Sequence, residues 1–365
     1  MSGLALPFVD TERLKRRVTA LTENRPGVYR MLDHTGRVLY VGKAKQLRTR
    51  LLSYFRARYP DDKQARILNA AHDIAWDYAA SEFGALIAEL RQIKRYRPPY
   101  NVRMNRSRGL AFVKVSGGAA PKIYVGSSPA PSDVRHYGPF RSVARLEEAV
   151  RVLNLQLGLR DCALDMPITY SEQGDLFTAG RRAGCLRYEL GTCTGPCSGF
   201  VTEAAYRGQV DTAVAFLEGR GVAPIDTVVA EMTRASAAAH YEFAVKWRDR
   251  FDALEWLFAA GNQARAAIDA LSFVYLDPGV YGDDRAFLIK RATVRATAPA
   301  PHTPIEMQAF RALVAEHAGP EPTVGPIPPA ALDETVLLLS WFRRHPAALH
   351  RAVPLEEWLD RHPAA

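Results

Sequence analysis

Four side chains that could take part in catalysis lie close together near the start of the chain. Tyr29 and Tyr40 supply phenols, which can exchange protons, and Lys43 and Arg50 supply cations, which can neutralise an anion. The two tyrosines could equally be a cross-strand pair that only stabilises a hairpin. Whether they can act together depends on the elements that position them.

The two tyrosines are predicted to lie on one β-hairpin. Residues 27–32 and 37–41 have the apolar pattern of strands and flank the turn sequence DHTG. A turn centred in DHTG would place Tyr29 directly opposite Tyr40, with Cβ atoms about 5 Å apart. Both phenols would then share one face of the sheet.

A carboxylate is available on a later predicted helix, which spans 81–96 with Ser81 as its N-cap. Glu89 lies about 40° from Ile93 in helical projection, at the edge of an apolar stripe. A carboxylate beside a core needs a partner, which could be an Arg or Lys side chain or a metal ion.

The wider pattern predicts an α/β fold. A small antiparallel sheet flanked by helices would be followed by a cysteine region, a helical segment and a mixed C-terminal region. The predicted elements are helices over 11–22, 44–58 and 62–71, a strand pair over 109–126, a turn at 136–140, and helices over 146–157, 204–217 and 226–258.

The charge distribution favours a polyanionic partner. The 365 residues carry a net charge of +9, and residues 1–106 hold 21 Lys and Arg against 10 Asp and Glu. A localised basic surface attracts nucleic acid and releases counterions on binding. A solubilising basic surface is the alternative.

Two features of the sequence indicate where in the cell the protein is located. No apolar run is long enough to span a membrane, and the short apolar N-terminal stretch precedes the basic residues, unlike a signal peptide. We therefore expect a cytoplasmic monomer that does not contact a membrane.

The four cysteines are clustered within 36 residues. In a cytoplasmic protein such thiols suggest a metal site rather than disulfides. The spacing lacks the paired CxxC of a zinc ribbon, and four thiolates suit either Zn²⁺ or an iron–sulfur cluster. Free buried thiols are the third possibility. The residues are Cys162, Cys185, Cys193 and Cys197.

The motifs GVY and YVG, followed by KA and SYF, resemble the GIY-YIG nuclease domain of the UvrC excinuclease family. LIAELRQIKRYRPPYN at 86–101 resembles the helix that follows in that family. The resemblance extends over about 24–260. It implies an active site of Tyr29, Tyr40, Lys43, Arg50, Tyr54, Glu89 and Asn101.

The resemblance implies hydrolysis of a DNA phosphodiester with one Mg²⁺ or Mn²⁺ ion on Glu89. Arg50 would hold a phosphate oxygen, and Tyr29 would activate or orient the water, supported by Tyr40 and Lys43. A free phenol has a pKa of about 10, so nearby cations or the metal must lower the pKa of Tyr29. Which phenol loses its proton stays open.

Further segments also resemble this family. YGPF at 137–140, LRDC at 159–162 and CLRYELGTCTGPC imply a [4Fe-4S] cluster on the four cysteines, with zinc as the alternative. The basic strand expected near 107–113 reads SRGLAFV, which weakens the prediction of a DNA contact there.

The segment 232–254 has the apolar spacing of an amphipathic helix, and it resembles the UVR motif that docks onto UvrB. The alternative is an ordinary helix packed within the chain. The predicted partner contacts are Tyr241, Glu242, Phe243, Arg248 and Asp249.

The sequence contains no motif of the RNase H-like or helix-hairpin-helix domains that complete a full-length UvrC, so it resembles the short single-incision homologues (Cho type). We expect an endonuclease that nicks double-stranded DNA on the 3′ side of a lesion in nucleotide excision repair, with UvrB as partner and UvrA upstream. The alternatives are a non-catalytic adaptor for UvrB or DNA, and a GIY-YIG endonuclease outside repair.

Five regions are predicted. They are a basic N-terminal helix (1–23), the GIY-YIG nuclease domain (24–105), a middle region with the four-cysteine site (106–200), a UVR-like helical segment (201–262), and Pro/Ala-rich linkers with a C-terminal region of unknown role (263–365).

Overall fold

The computed structural model describes residues 10–101, 110–127, 130, 132–173, 185–319 and 325–363. The chain forms two compact units, each built from separate stretches of sequence. Unit 1 contains Met1–Met104, Ser272–Gly319 and Trp341–Ala365, and unit 2 contains Asn105–Leu271 and Pro320–Ser340.

The first part of unit 1 is a small α/β domain. Asp10 caps the first helix by accepting a hydrogen bond from the Arg13 amide, and Ser81 caps the fourth through the Gly84 amide. The elements are α1 (Thr11–Leu21), β1 (Gly27–Leu32), β2 (Val38–Ala44), α2 (Leu47–Tyr54), α3 (Lys63–Ala70), β3 (Asp73–Tyr78) and α4 (Glu82–Tyr96).

The three strands form an antiparallel sheet in the order β2-β1-β3. One face, with Tyr29 and Met31, packs on α1, α2 and α3, and the other face, with Val28 and Val41, packs on Ala85 of α4. Because β2 lies at the edge of the sheet, it has backbone groups that β1 does not bond.

The register of the hairpin differs from the predicted one. Tyr29 pairs with Gly42 and Met31 pairs with Tyr40, and the register shifts between Met31 and Leu32. Direct pairing of Tyr29 with Tyr40 is therefore wrong. The two phenols still share a face, because Tyr40 and Gly42 are two residues apart on the same strand.

Unit 2 places a second antiparallel sheet, in the order β5-β4-β6, against helices. The predicted turn at 136–140 is instead part of β6. Residues 107–109 lie outside the described residues. The elements are β4 (Ala111–Ser116), β5 (Ile123–Gly126), β6 (Asp133–Phe140), α5 (Val143–Gln156), α6 (Leu186–Glu189), α7 (Glu203–Leu217), α8 (Ala223–Ala237) and α9 (Tyr241–Asp269).

The predicted long helix at 226–258 is interrupted. Ala239 has a φ of 57°, in the left-handed region, and the chain reverses there into a hairpin of α8 and α9. The prediction of one helix across 232–254 is therefore wrong. The stretch is Ala-rich, and its composition does not indicate a turn.

The last part of the chain forms an α/β fold where the sequence suggests linkers. The Ala/Pro-rich TAPAPHTP stretch contains the end of β9 and Thr303, whose side chain forms a capping box with Glu306. The elements are β7 (Phe273–Asp277), β8 (Arg285–Lys290), β9 (Thr293–Pro299), α10 (Pro304–Ala318), α11 (Leu332–Arg344), β10 (Ala352–Pro354) and α12 (Leu355–Arg361).

These strands form a sheet in the order β10-β7-β8-β9, whose core includes Val274, Leu288, Phe310 and Trp358. We call the described residues of 272–319 and 341–363 the C-terminal module; they belong to unit 1. Among the helices that the structure describes, none is long and apolar enough to cross a membrane.

Candidate active site

Three phenols form the centre of the candidate site. Tyr29 on β1, Tyr40 on β2 and Tyr54 on α2 have ring centroids between 5.8 and 6.5 Å apart. The hydroxyls of Tyr29 and Tyr54 are hydrogen-bonded at 2.8 Å. Arg50 donates from Nε to the Tyr29 hydroxyl at 3.4 Å, and its guanidinium lies 5.5 Å from the centre of the Tyr54 ring.

Gly42 is a site residue that the chemical reasoning missed. A Cβ atom at this position would lie 2.5 Å from the Tyr29 hydroxyl and 2.9 Å from the ring of Tyr40. Such distances are too short for any side chain, so only glycine leaves room for both phenols. The glycine of YVG is the sequence signal that could have revealed this.

Glu89 and Asn101 cover the outer edge of β2. The Lys43 amide donates to Glu89 Oε1 at 3.0 Å. Asn101 accepts from the Val41 amide and donates to the Val41 carbonyl, each at 2.8 Å. The sheet edge is therefore where the carboxylate of α4 approaches the strand that carries Tyr40.

The Lys43 side chain does not join the phenols. It follows Gly42 on β2 and so points to the α4 face of the sheet, where its ammonium lies 3.4 Å from Glu82. Lys45 contacts the same carboxylate at 3.2 Å. The sequence predicts that Lys43 supports Tyr29, whereas in the structure its ammonium pairs with the carboxylate of Glu82.

Burial dominates the electrostatics of the site. It raises the pKa of Tyr29 to about 12, with the neighbouring Tyr40 adding to the rise and the Tyr54 hydroxyl and Arg50 opposing it. The pKa of Tyr54 is also raised, again mainly by burial. Arg50 therefore lowers the pKa of Tyr29, as the sequence predicts for a nearby cation, but burial outweighs this effect in the protein without metal or DNA.

Glu89 fits the role of a metal ligand. Burial raises its pKa, although the Lys43 amide and the charges of Lys43 and Arg50 oppose this. A buried carboxylate of this kind gains from a nearby cation. No three His, Cys, Asp or Glu residues in the described part of the chain are close enough to hold a metal ion together. A divalent ion here would have one protein carboxylate, and water or phosphate oxygens would complete its shell, as suits Mg²⁺.

Two family models match consecutive parts of the chain. The UvrC-like GIY-YIG domain matches residues 25–102, and the middle domain of the UvrC/Cho excinucleases matches residues 110–216. The chain belongs to the UvrC family. The first match contains all seven residues of the candidate active site, and the second contains all four cysteines.

Two UvrC relatives show how similar this chain is to known proteins in sequence. The UvrABC system protein C of Pseudomonas entomophila is 35% identical over 231 residues, which is 63% of this chain and 36% of the relative. That of Pseudoalteromonas atlantica is 33% identical over 257 residues, which is 69% of this chain and 40% of the relative. This chain thus spans well under half the length of these relatives.

A crystal structure of the GIY-YIG N-terminal endonuclease domain of UvrC from Thermotoga maritima, bound to magnesium as its catalytic divalent cation, is also similar. It is 37% identical, with 25% of this chain and 98% of that chain covered, at a TM-score of 0.23.

The four cysteines of this UvrC-family chain line one cavity in unit 2, with a volume of about 250 Å³. Cys193 is buried, which raises its pKa, and Cys185 is exposed. Arg160 donates to the Cys162 sulfur at 3.5 Å. No disulfide joins any of the four. The sequence prediction that they cluster matches this shared cavity.

The UVR-like residues lie at the start of α9, beside the turn of the α8–α9 hairpin. Tyr241 and Phe243 are exposed by 69% and 58%, although both are large and apolar. Glu242, Arg248 and Asp249 are exposed as well. Residues 241–249 of α9 thus expose two aromatic rings and charges of both signs.

Proposed function

We propose that this chain is a metal-dependent endonuclease that nicks damaged double-stranded DNA on the 3′ side of a lesion. One observation carries the proposal: Tyr29, Arg50 and Tyr54 are hydrogen-bonded or stacked together in a UvrC-like GIY-YIG domain whose Glu89 lies at the adjoining strand edge. The chain's relatives are UvrABC proteins, which supports damaged DNA as the substrate.

Arg50 is the cation that links the two halves of the site. Its Nε contacts the Tyr29 hydroxyl, and its charge also acts on Glu89. A planar guanidinium can bind a non-bridging phosphate oxygen while keeping a donor directed at the phenol. The scissile phosphate would therefore sit beside Arg50, between the phenols and the carboxylate.

Tyr29 is the phenol closest to Arg50, and we assign it the role of orienting the attacking water. With a pKa near 12, it is protonated in the free protein and can orient the water, with Tyr54 as the second member of its hydrogen bond. A divalent ion bound at Glu89 would supply Lewis-acid stabilisation of the phosphate and the leaving oxygen. Asn101 holds β2, and with it Tyr40, in place.

We assign an iron–sulfur cluster to the four-cysteine cavity, with zinc as the alternative. A zinc ion needs four thiolates about 2.3 Å from one centre. The four sulfurs share one cavity of about 250 Å³. A [4Fe-4S] cluster distributes its ligands over several iron atoms. A brown protein absorbing near 400 nm is expected, and a colourless zinc protein would overturn this choice.

The exposed rings at the start of α9 fit a protein partner, and we assign UvrB to them. Isolated exposed apolar residues are common, but aromatic side chains are enriched at protein interfaces, and two of them are exposed here. Alanine at Tyr241 and Phe243 is expected to weaken capture of UvrB. Alanine at Val229, an exposed residue of α8, is the control. Unchanged binding by the Tyr241 and Phe243 variants would exclude this surface.

The nuclease assignment is tested by two conservative variants. Glu89→Gln and Tyr29→Phe keep the side-chain shape but remove the metal-binding charge and the hydroxyl, so each should abolish nicking while DNA affinity stays near that of the parent. Tyr96→Phe, at an exposed position of α4, is the matched control. Full nicking by Glu89→Gln or Tyr29→Phe would refute the assigned roles. Absence of nicking by the parent with Mg²⁺ or Mn²⁺ would favour an adaptor.

A further inference from the structure

The helix that carries Glu89 is anchored by the C-terminal module. Phe83, in the first turn of α4, is 1% exposed. Its ring lies between 4.8 and 5.9 Å from four other rings, all of which belong to the C-terminal module. These are Tyr275, Phe287, Trp341 and Phe342.

The N-cap of α4 is tied to the same module. Ser81 accepts a hydrogen bond from the Gly84 amide at 2.9 Å and donates one to Asp277 at the end of β7. The Val280 amide donates to the Ala80 carbonyl at 2.9 Å. The module therefore fixes both the backbone before α4 and the side chain that starts the helix.

Asp277 is itself held in place. The Tyr275 hydroxyl donates to Asp277 Oδ1 at 3.2 Å, and Arg351 donates to the Tyr275 hydroxyl at 3.3 Å. These hydrogen bonds connect β7 and the segment before β10 to the N-cap. A connected polar network of this kind fixes orientation more firmly than a single contact.

The same turn of α4 also contacts the nuclease sheet. Glu82 lies between Ser81 and Phe83, and it pairs with Lys43 and Lys45. Glu89 follows two helical turns later, about 10 Å along the axis. A helix transmits a displacement of its first turn along its length, so a loose N-terminus would move the Glu89 carboxylate relative to β2.

We propose that the C-terminal module is a positioning element of the nuclease site, acting through Phe83 and the Ser81–Asp277 pair to set the place of Glu89. This rests on the proposed role of Glu89 as the metal ligand. Neither family model covers the module, since both matches end by residue 216. The module thus has a role in the metal site although it contains none of the site's residues.

The test uses the full chain and direct metal binding. Phe83→Leu reduces the ring contacts, and Asp277→Ala removes the acceptor from the N-cap, whereas Asp277→Asn retains an acceptor oxygen. Phe310→Leu is the matched control, because Phe310 lies in the module's own core against Trp358 and not in the ring cluster around Phe83. Mn²⁺ binding is measured by electron paramagnetic resonance, and amide exchange of α4 reports its order.

The positioning role predicts that Phe83→Leu and Asp277→Ala weaken Mn²⁺ binding about tenfold, as loss of residues that orient a metal ligand does. Amide exchange of α4 should quicken, nicking should fall at limiting Mn²⁺, and DNA affinity should be unchanged. Asp277→Asn should restore most of the binding, and Phe310→Leu should retain it.

Two results would overturn the role. One is unchanged Mn²⁺ affinity in folded Phe83→Leu and Asp277→Ala. The other is an equal loss in Phe310→Leu, which would indicate general destabilisation of the module. If the parent chain binds Mn²⁺ but does not nick DNA, the proposed function fails while the metal-binding comparison still decides the positioning role.

Discussion

At the residue scale, the site combines the phenols of Tyr29 and Tyr54, which burial keeps neutral, with the guanidinium of Arg50, which contacts both. The residue types of the site can be predicted from the sequence, because the GVY, YVG and SYF motifs contain the three phenols. Their protonation cannot, since it depends on how deeply Tyr29 and Tyr54 are buried. The partner of Lys43 also cannot be predicted, because it depends on the observed register.

Gly42 should be intolerant of any side chain. Gly42→Ala places a methyl group 2.5 Å from the Tyr29 hydroxyl, so we expect a stability loss of about 1–3 kcal/mol and at least a roughly 100-fold slower nicking rate. Gly208→Ala, in α7 with open space around it, should instead stabilise the protein slightly. Near-parental nicking by Gly42→Ala would contradict the packing of the phenols.

Glu89 should reduce stability when no metal is present. Burial raises the pKa of Glu89, so folding favours its protonated form. The resulting stabilisation is present below the unfolded pKa of about 4.5 and is lost as pH rises through the folded pKa. At pH 7 without metal, Glu89→Gln is expected to melt at a higher temperature than the parent. Mn²⁺ should raise the melting temperature of the parent but not of the variant. Glu12→Gln, exposed on α1, is the control and should match the parent in both conditions.

Tyr29 should make the fold sensitive to alkali. Its pKa rises from 10.0 to about 12 on burial, so the stabilisation is complete below pH 10 and is lost as pH increases toward 12. Urea unfolding at pH 9 and pH 11 should show a larger loss for the parent than for Tyr29→Phe, by about 1.3 kcal/mol. Equal losses would mean that Tyr29 ionises at an ordinary pKa.

At the element scale, capped helices can be predicted and reversals without turn residues cannot. The helix after Ser81 is predictable because serine is a favoured N-cap, and the structure confirms the cap. The edge strand β3 is not predicted from the sequence. It follows α3 without a turn signal, and Ile74 is its only buried residue. The break at Ala239 is also not predicted, because alanine normally continues a helix.

The α8–α9 turn offers a direct test of that break. Ala239 has a φ of 57°, a region that costs an L-residue about 1–2 kcal/mol and glycine almost nothing. Ala239→Gly is therefore expected to stabilise the protein, by up to about 1 kcal/mol in chemical unfolding. Ala230→Gly, in the exposed interior of α8, should cost about 1 kcal/mol. A similar loss in both would indicate a continuous helix.

At the scale of the whole molecule, sequence order and compact units do not coincide. Unit 1 joins the nuclease domain to residues 272–319 and 341–365. No local pattern predicts this, because the contacts around Phe83 connect residues nearly 200 or more positions apart in sequence. The Ala/Pro-rich composition suggests linkers, whereas the strands there are stabilised by pairing and burial that only the folded chain provides.

We propose that this chain makes one metal-dependent incision in damaged DNA. The most direct measurement is nicking of an end-labelled lesion duplex by the full chain, with UvrA and UvrB, in the presence and absence of Mg²⁺ or Mn²⁺. A single cut in the damaged strand on the 3′ side of the lesion is expected, and chelation of the metal should abolish it. Incision on the 5′ side, or incision that persists without a divalent ion, would contradict it.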